Sequence, residues 1–415
     1  MRTFLLSFMW MLSMLHVTAQ RDCSSYSYQQ ELFNNNPSLK ESLSRIESSV
    51  QRRLSSKLAN KPQGGEIIIT IPVVVHILYN KPEENVSDER VFSQIKVLNE
   101  SFRRLNADSV NTPLAFRKLA ADCNIEFQLA ISDPLRRSTN GIIRKYTPVN
   151  LWNADDKMKL SSEAGDDGWD AKNYLNIWVC NMGRVAGYSS FPGGPAEKDG
   201  LVIAYTVFGI NKRSGYEMGK TAVHEAGHWM GLRHIWGDSY CGSDLIDDTP
   251  SQSTFTSGCP SGIRKSCGTD PNGDMYMNYM DITLDACTNL FTIGQRDRMR
   301  ASFETGGGRE SILTSYALLP PLISETPLPE VPPKWLHPQL YPNPAYGQMI
   351  LDLAYDIRWV GKTLLITNTQ GQLMNTIVIT AKSIAIDVSK LKPGIYFLSG
   401  KKDDGSVIKQ KFVKL

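Results

Sequence analysis

The sequence has little excess of charge of either sign and no long hydrophobic run beyond its N-terminus. Its 45 basic and 42 acidic residues leave a net charge of +3 over 415 residues. Binding to nucleic-acid phosphates requires clustered Lys and Arg, so we expect no nucleic-acid partner. No later apolar stretch reaches the ~20 residues that span a bilayer, so we expect no transmembrane segment. Apolar residues still make up 41% of the chain, enough for a sizeable core, and the length predicts roughly two or three domains.

The N-terminus has the pattern of a signal peptide. Arg2 precedes an apolar run from Phe4 to Val17, and Val17-Thr18-Ala19 places short residues before a cleavage site. A polar, Ser-rich stretch follows at once, which argues against a buried first helix. We therefore predict a signal peptide at residues 1–19 and an exported chain.

The seven cysteines fit an oxidising destination, where disulfides persist. Four of them lie in a Gly-, Ser- and Asp-rich stretch with little periodicity: Cys241, Cys259, Cys267 and Cys287. Such a stretch buries few apolar groups, so we expect cross-links to replace a core there. Four cysteines allow three pairings, all of which the spacing leaves open. The odd total leaves one cysteine over, and Cys23 is the isolated one.

Apolar periodicity predicts alternating strands and helices in the first two thirds of the chain. Strands are predicted at 67–77, 124–132, 174–180 and 201–208, and helices at 38–58, 87–105 and 217–231. This alternation favours a layered α/β or α+β domain. Nine prolines between Pro320 and Pro344 then indicate an extended linker. Residues 348–415 alternate apolar and polar side chains in short runs, which predicts a small β-sandwich.

The most informative stretch runs from His224 to His234. His224 and His228 are four residues apart, so a helix would project both from one face toward a single ion. Gly231 permits a sharp turn that would return His234 as a third nitrogen ligand. Zinc suits three imidazoles and an open fourth position. Glu225 is not needed as a metal ligand, so it can accept a proton from the attacking water and return it to the leaving amine.

The alternative is a helix with incidental histidines. The chain has six histidines, and three of them fall within these eleven residues, which argues against chance. His76, by contrast, lies in an apolar strand and is predicted to be a core histidine with satisfied hydrogen bonds, and His337 lies in the linker.

These residues resemble the zinc motif of the metzincin clan of endopeptidases, which is followed by a methionine-containing turn. Asn278-Tyr279-Met280-Asp281 fits that turn, with Met280 beneath the metal. Over residues 67–303 the chain resembles the pappalysin family more closely, in its bacterial ulilysin and mirolysin type. That resemblance rests on five stretches: Ile71–His76, Tyr174–Cys180, Gly187-Tyr188, Phe191–Gly194 and Asp248-Thr249-Pro250.

The resemblance implies an α+β catalytic domain, with a twisted sheet and an active-site helix above a loop-rich lower subdomain. It implies the disulfides Cys241–Cys267 and Cys259–Cys287. It also implies structural calcium near four oxygen-bearing residues, Asp244, Asp247, Asp248 and Thr249. A solvated acidic turn is the alternative for these four.

The resemblance further implies cleavage of protein and peptide substrates before Arg or Lys. Asp285 matches the acidic residue at the base of the pocket for the residue after the scissile bond, where a carboxylate would pair with the basic side chain. A surface or calcium-associated aspartate is the alternative. Ile282 stands where many metzincins have a Tyr, so a transition-state contact from that Tyr is unsupported. We expect substrate to add as an extended strand along the edge at 201–208.

Cys23 predicts latency. A thiolate is a good zinc ligand and could fill the open coordination site. The resemblance to family members of this type implies such a cysteine switch. A disulfide from Cys23 to Cys123 or Cys180 is the alternative. Cutting near Arg52, Arg53 or Lys57 would then release activity.

The last ~75 residues resemble the C-terminal sorting domain of type IX secretion. The stretches are Tyr341–Pro344, Asn368–Gly371, Leu391–Tyr396 and Lys411–Leu415. The resemblance implies passage through the type IX machinery and a secreted or cell-surface location in a Gram-negative bacterium of the Bacteroidota. An ordinary binding sandwich is the alternative.

The prediction is a secreted, monomeric zinc endopeptidase made as a zymogen. Its alternative is a secreted zinc-bearing adhesin with little proteolysis, against which an intact Glu225 argues. The predicted domains are a signal peptide (1–19), a propeptide (20–54), the catalytic domain (55–315), a Pro-rich linker (316–340) and the sorting sandwich (341–415).

Overall fold

The computed structural model describes most of the chain beyond the predicted signal peptide. The described residues are 23–59, 67–211, 215–268, 270–323, 338–353, 359, 361–381, 383–401 and 407–415. The predicted signal peptide, His337 and the central part of the predicted linker lie outside them. Within the described part, no helix is both long and apolar enough to cross a membrane.

One sheet organises the larger domain. Its strands are β1 (Ile69–Tyr79), β2 (Ile125–Leu129), β3 (Ile142–Tyr146), β4 (Leu175–Cys180), β5 (Gly187–Ser189) and β6 (Leu201–Ala204). The strand order is β2-β1-β4-β6-β5, and β3 pairs with the far half of β1. All pairs are parallel except β5 with β6. Since β6 lies between β4 and β5, the prediction that 201–208 forms the substrate edge is wrong: β5 is the edge strand.

The described residues also form five α-helices: α1 (Ser25–Asn35), α2 (Pro37–Ala59), α3 (Asp88–Phe102), α4 (Lys220–Trp229) and α5 (Ile293–Ala301). Helix α3 begins where predicted, because the Ser87 hydroxyl accepts a hydrogen bond from the Arg90 amide. Apolar residues of α3 and α4 join those of β1, β2, β4 and β6 in one buried core. Burial of this apolar surface is the main force holding α4 on the sheet.

The region after α4 has a different construction. Between Gly231 and Thr292 the described residues contain turns and bends but no helix or strand. Disulfides join Cys241 to Cys267 and Cys259 to Cys287, the pairing that the family resemblance implies. Cys23, Cys123 and Cys180 are free thiols, so the alternative disulfide from Cys23 is wrong.

The C-terminal domain is the expected β-sandwich. Its strands are β7 (Gln339–Tyr341), β8 (Gln348–Asp352), β9 (Thr363–Asn368), β10 (Leu373–Val378), β11 (Ser383–Asp387), β12 (Gly394–Lys401) and β13 (Val407–Lys414). A four-stranded sheet has the order β10-β9-β12-β13, and a three-stranded sheet has the order β11-β8-β7. Apolar residues from both sheets share one core.

The predicted linker starts too early and ends too late. Ala317 is fully buried, its carbonyl accepts hydrogen bonds from the Ile131 and Ser132 amides, and the Leu319 carbonyl accepts one from the Ser132 hydroxyl. Residues 316–323 therefore belong to the catalytic fold, although their prolines resemble those of the linker. At the other end, β7 already pairs with β8.

Candidate active site

Helix α4 supplies the first two imidazoles of the predicted metal site. All ten residues of the helix are buried, so it is an interior helix with no solvent face. Gly231 follows it with φ +89°, a left-handed conformation that glycine adopts without strain. The Gly231 carbonyl accepts a hydrogen bond of 2.8 Å from Arg298. This turn leads the chain back toward the helix, and His234 joins the other two histidines.

The three histidines converge through one type of atom. Nε2 of His228 lies 3.1 Å from Nε2 of His224 and 3.2 Å from Nε2 of His234. Each Nδ1 faces an oxygen instead: the Tyr279 carbonyl for His224, the Leu232 carbonyl for His228 and the Asp238 carboxylate for His234, at 2.7, 2.9 and 2.5 Å. These contacts fix the ring orientations.

This arrangement fits a metal ion. With a proton on each Nδ1, every Nε2 presents a bare lone pair, and three such lone pairs repel one another unless a cation lies between them. Burial lowers the pKa of His228 to about 3, which keeps that ring neutral and able to coordinate. Among the described residues, the ligand atoms of Cys23, His224, His228 and His234 all lie within 4.8 Å of one another.

Glu225 lies beside this cluster and points toward the edge strand. The carboxylate is fully buried, and its Oε2 accepts a 2.8 Å hydrogen bond from the Ser25 hydroxyl. A Cβ at Gly187 on β5 would come within 3.2 Å of Glu225 Cγ, so the small residue at that position leaves room for the glutamate.

Met280 packs directly beneath α4. Its side chain is fully buried, and a Cβ at Gly227 would lie 2.5 Å from its sulfur. Gly227 stands between the two helix histidines, so the methionine presses on the backbone that carries them. The turn also supplies the Tyr279 carbonyl that orients His224. The structure thus brings Met280 into contact with the helix that carries two of the three histidines.

Asp285 is buried close to the start of the same helix. Its Oδ2 accepts hydrogen bonds from the Met218 and Lys220 amides at 3.0 and 3.3 Å. The Lys220 ammonium donates to the carbonyls of Asp285 and Thr288 and pairs with Asp108. Because Asp285 is only 1% exposed, its alternative as a surface aspartate is wrong.

The four predicted calcium residues do not all come together. Thr249 donates to both carboxylate oxygens of Asp244 at 2.9 Å. Asp248 instead accepts hydrogen bonds from the Thr292 hydroxyl and the Gly294 amide at the start of α5. Asp247 is exposed. Burial raises the pKa of Asp244 to about 7 against the hydrogen bonds that Thr249 and the Ile246 amide give it, so a nearby cation would stabilise its charged form.

The N-terminal segment, residues 23–36, covers the site. The Ser24 amide donates to the Gly187 carbonyl at 3.2 Å, and the Ser25 hydroxyl accepts from the Ser189 amide at 2.9 Å. The segment thus lies along edge strand β5, parallel to it. Cys23 Sγ reaches within 3.6 Å of His228 Nε2.

Helix α2, which follows this N-terminal segment, packs against the catalytic domain. Glu47 accepts two hydrogen bonds from the Arg298 guanidinium, and these hold its pKa below the usual value even though burial acts in the opposite direction. Ile46 inserts beside Gly193, where a Cβ would come within 2.6 Å of its Cδ1. The Phe191–Gly194 motif therefore forms part of the surface against which α2 packs.

Three contributors to the site were missed by the sequence analysis. Asp238 orients His234, Ser25 contacts Glu225, and Gly227 accommodates Met280. The spacing of Asp238 four residues after His234 was an available signal, because metal-binding histidines usually donate to a carboxylate or carbonyl. Ser25 carried no signal, since its role depends on how the N-terminal segment folds back.

His76 lies away from this site. Its ring nitrogens are 2.6 Å from Asp166 and 3.1 Å from Asn176, and its ring stacks on that of Trp178. It is therefore a core histidine with satisfied hydrogen bonds, as predicted.

Comparisons with known proteins agree with this geometry. The family model of the M43 peptidases, described as pregnancy-associated plasma protein-A, matches residues 159–304. The model of the secretion system C-terminal sorting domain matches residues 339–414. An extracellular metalloprotease of Neurospora crassa is 34% identical over 46% of this chain and 64% of that protein. One of Arthroderma gypseum is 30% identical over 70% of this chain and 87% of that protein.

Two solved structures extend the match. Mature mirolysin of Tannerella forsythia, in complex with a cleaved peptide, is 48% identical, with a TM-score of 0.59 over 61% of this chain and 98% of that one. A promirolysin mutant from the same organism is 43% identical, with a TM-score of 0.65 over 72% and 98%. The larger share of this chain that the proform covers is consistent with a pro-segment here. The chain belongs to the M43, or pappalysin, family of metalloendopeptidases, and carries a type IX secretion sorting domain that marks it as secreted or cell-surface.

Proposed function

We propose that this metalloendopeptidase binds zinc through His224, His228 and His234, cuts peptide bonds before Arg or Lys, and is held latent by Cys23. The convergence of three Nε2 atoms beside a buried glutamate is the observation that carries the proposal. Three neutral imidazoles suit zinc better than the hard cations that prefer oxygen ligands.

Zinc bound there supplies Lewis-acid chemistry, which polarises the substrate carbonyl and makes water more acidic. Glu225 accepts a proton from the attacking water and returns it to the leaving amine. Asp238 and the Tyr279 and Leu232 carbonyls keep the three imidazoles in the tautomer that presents Nε2.

Substrate binds along β5 as an added strand. The Gly187 carbonyl and the Ser189 amide now bond to the N-terminal segment. When that segment is removed, the same two groups are available for the main chain of a substrate. The edge therefore offers one acceptor and one donor close to Glu225, whose Cγ lies next to Gly187.

Asp285 selects the basic residue after the scissile bond. Its carboxylate is buried and held by the amides of Met218 and Lys220, at and just before the start of the helix that carries His224. A buried carboxylate held in one orientation favours a guanidinium or ammonium group over an apolar side chain.

Latency comes from two contacts of the N-terminal segment. Cys23 Sγ joins the three imidazoles as a fourth ligand atom, and the Ser25 hydroxyl donates a hydrogen bond to the Glu225 carboxylate. We predict that Cys23→Ser in the full chain gives activity before any cleavage, whereas Ser27→Ala at an exposed neighbour does not. Equal latency of both variants in a fluorogenic peptide assay would contradict the switch.

Activation removes the pro-segment by a cut near Arg52, Arg53 or Lys57. We propose the division into signal peptide (1–19), propeptide (20–54) and catalytic domain (from 55), with the catalytic fold extended to residue 323. The bonds beside Arg52, Arg53 and Lys57 lie within α2, which continues to Ala59, so the end of that helix must unwind before it is cut. A structural calcium at Asp244 and Thr249, with Asp247 and Asp248 nearby in sequence, and a monomeric state complete the proposal.

Cleavage-site profiling of the activated protein on a peptide library tests the function. We expect cuts before Arg and Lys, and a loss of kcat/KM of about 10²- to 10⁴-fold in Glu225→Ala. Asp285→Ala is expected to lower the preference for Arg about 30-fold or more, while Asp270→Ala leaves it intact. Cuts before apolar residues would contradict the role of Asp285 alone. No cutting by folded, zinc-loaded protein from which the pro-segment has been removed would overturn the proposed function.

A further inference from the structure

A tyrosine of the N-terminal segment occupies a pocket that the proposed chemistry does not use. Tyr28, in the first turn of α1, reaches over edge strand β5 onto the face of the sheet opposite α4 and is 4% exposed. Its hydroxyl donates a 2.8 Å hydrogen bond to Asp156 Oδ2, and its ring lies 4.8 Å from the ring of Tyr188.

The walls of this pocket belong to the catalytic domain. Asp156 is 1% exposed and Lys159 is fully buried, and the two form an ion pair of 2.9 Å. The Tyr188 hydroxyl donates to the other oxygen of Asp156 at 3.0 Å. The Lys159 ammonium also lies 5.4 Å from the Tyr28 ring centroid and 5.3 Å from that of Trp178. The pocket thus combines an aromatic wall, a cation over the ring and an acceptor for a phenolic hydroxyl.

Apart from Tyr28, the residues of this pocket lie in the catalytic domain and stay in the chain when the pro-segment is cut away. Asp156 Oδ1 keeps Lys159 and Tyr188, which hold the carboxylate in place. Asp156 Oδ2 loses its hydroxyl donor and retains Lys198 at 3.8 Å. A carboxylate oxygen that has lost this donor favours a ligand that returns a hydroxyl over an apolar ligand of the same shape.

We infer that this Tyr28 pocket is a substrate subsite that selects a tyrosine on the N-terminal side of the cleaved bond. The inference rests on the proposed function. The N-terminal segment runs parallel to β5 from Cys23 at the metal site. We expect a substrate to run antiparallel to β5, because antiparallel pairing is somewhat more stable per residue. The residues before its cleaved bond then lie where the N-terminal segment has the residues that follow Cys23.

The distance sets the position. Ser24 has φ −94° and ψ 7°, and the chain is helical from Ser25, so Cys23 and Tyr28 lie at most about 10 Å apart, which corresponds to roughly three extended residues. The tyrosine is therefore expected at about the third or fourth residue before the cut.

Matched fluorogenic peptides test this with the activated enzyme. All carry Arg after the cut, and Tyr, Phe or Ala is placed in turn at each of the second to sixth positions before it. We expect Tyr at the third or fourth position to raise kcat/KM about tenfold or more over Ala, and several-fold to tenfold over Phe because of the hydrogen bond to Asp156.

Variants assign the effect to the pocket. Asp156→Asn is expected to bring the Tyr-to-Phe ratio close to one, whereas Asp155→Asn, at an exposed neighbour, keeps the ratio. A ratio measured on one enzyme preparation does not depend on how much of the variant folds. Equal rates for Tyr, Phe and Ala at every position would overturn the subsite while leaving the protease intact. Failure to cleave any peptide would overturn the proposed function and this inference with it.

Discussion

The catalytic region consists of two parts that are stabilised in different ways. The upper part, residues 67–230, is built on β1, whose eleven residues are buried except Thr70. It owes its stability chiefly to apolar burial between sheet and helices. The lower part, residues 231–292, has a small apolar cluster around Ile235, Trp236 and Met277, and depends on disulfides and buried polar groups.

Buried carboxylates take the place of a larger core in the lower part. Asp281 Oδ1 accepts hydrogen bonds from the Thr256 and Ile282 amides at 2.8 and 2.7 Å, and its Oδ2 accepts one from Gln252 at 3.0 Å. Asp274 likewise holds the Ser266 amide. Each such carboxylate ties separate loops to one point, which secondary structure does in the upper part.

The active site lies where these two parts meet. The upper part provides His224, His228 and Glu225 on a rigid helix, and the lower part provides His234 and the Met280 turn. Helix α4 therefore fixes the positions of two metal ligands, and the lower part adds the third ligand and supports the helix from below. We therefore expect changes in the lower part to weaken the metal site, even though two of its three histidines lie on the helix.

Removing a disulfide of the lower part is the strongest test of this difference. The paired cysteines are 26 and 28 residues apart, for which chain entropy gives about 3.5 kcal/mol each. We expect Cys259→Ser with Cys287→Ser to lower the free energy of unfolding by about that amount and to weaken the Arg preference, because Asp285 precedes Cys287 by two residues. Cys123→Ala, which alters a buried free thiol of the upper part, serves as the control.

Hydrogen exchange locates the loss. Amides of residues 241–292 are expected to lose protection in the double variant, while those of β1 and β4 keep it. Equal loss over both parts would show that the two are one cooperative unit, contrary to the comparison.

A smaller effect is expected where the two parts touch. In Gly227→Ala the new methyl group meets the Met280 sulfur at 2.5 Å, and such overpacking costs about 1–3 kcal/mol. We expect a lower melting temperature and weaker zinc retention against a chelator, both partly restored by adding Met280→Ala. Gly347→Ala has open space around its Cβ and is the control. If the two alanine variants behave alike, the turn does not support the helix.

The same contrast explains what could be predicted from the sequence. Alternation and helical spacing predicted β1, β4 and α3, because apolar burial there follows a regular period. Strand β5 was missed because three residues show no period. Helix α5 carried a capping box, Thr292 with Gln295, that was available as a signal.

In the lower part the sequence supplied the residues but not their partners. Spacing left three pairings of the four cysteines open, and only a family resemblance indicated which one forms. The family resemblance grouped Asp248 with Asp244 as a calcium ligand, yet Asp248 accepts hydrogen bonds at the start of α5 instead. Such contacts join residues far apart in sequence and follow no local period, so their geometry had to come from the structure.

The smallest expected effect concerns Asp244, in the loop of the lower part beside the first disulfide. Burial raises the pKa of Asp244 to about 7 in the folded chain, well above that of an unfolded aspartate, about 4. Stability from its protonated form is therefore fully present below about pH 4 and is lost as the pH rises toward 7. We expect a loss on the order of 1 kcal/mol, since one pKa unit corresponds to about 1.4 kcal/mol between the two protonation states.

Chemical unfolding at pH 5 and pH 8, with zinc in excess, measures this loss. Asp244→Asn is expected to remove the difference, whereas Asp247→Asn, at an exposed position, retains it. If calcium binds there, adding it restores stability at pH 8 in the parent but not in Asp244→Asn, since a neutral amide binds the cation weakly. A parent stability at pH 8 that calcium leaves unchanged would contradict the calcium site. A pH difference that persists in Asp244→Asn would show that another group titrates, and Asp281 is the first to test because burial raises its pKa as well.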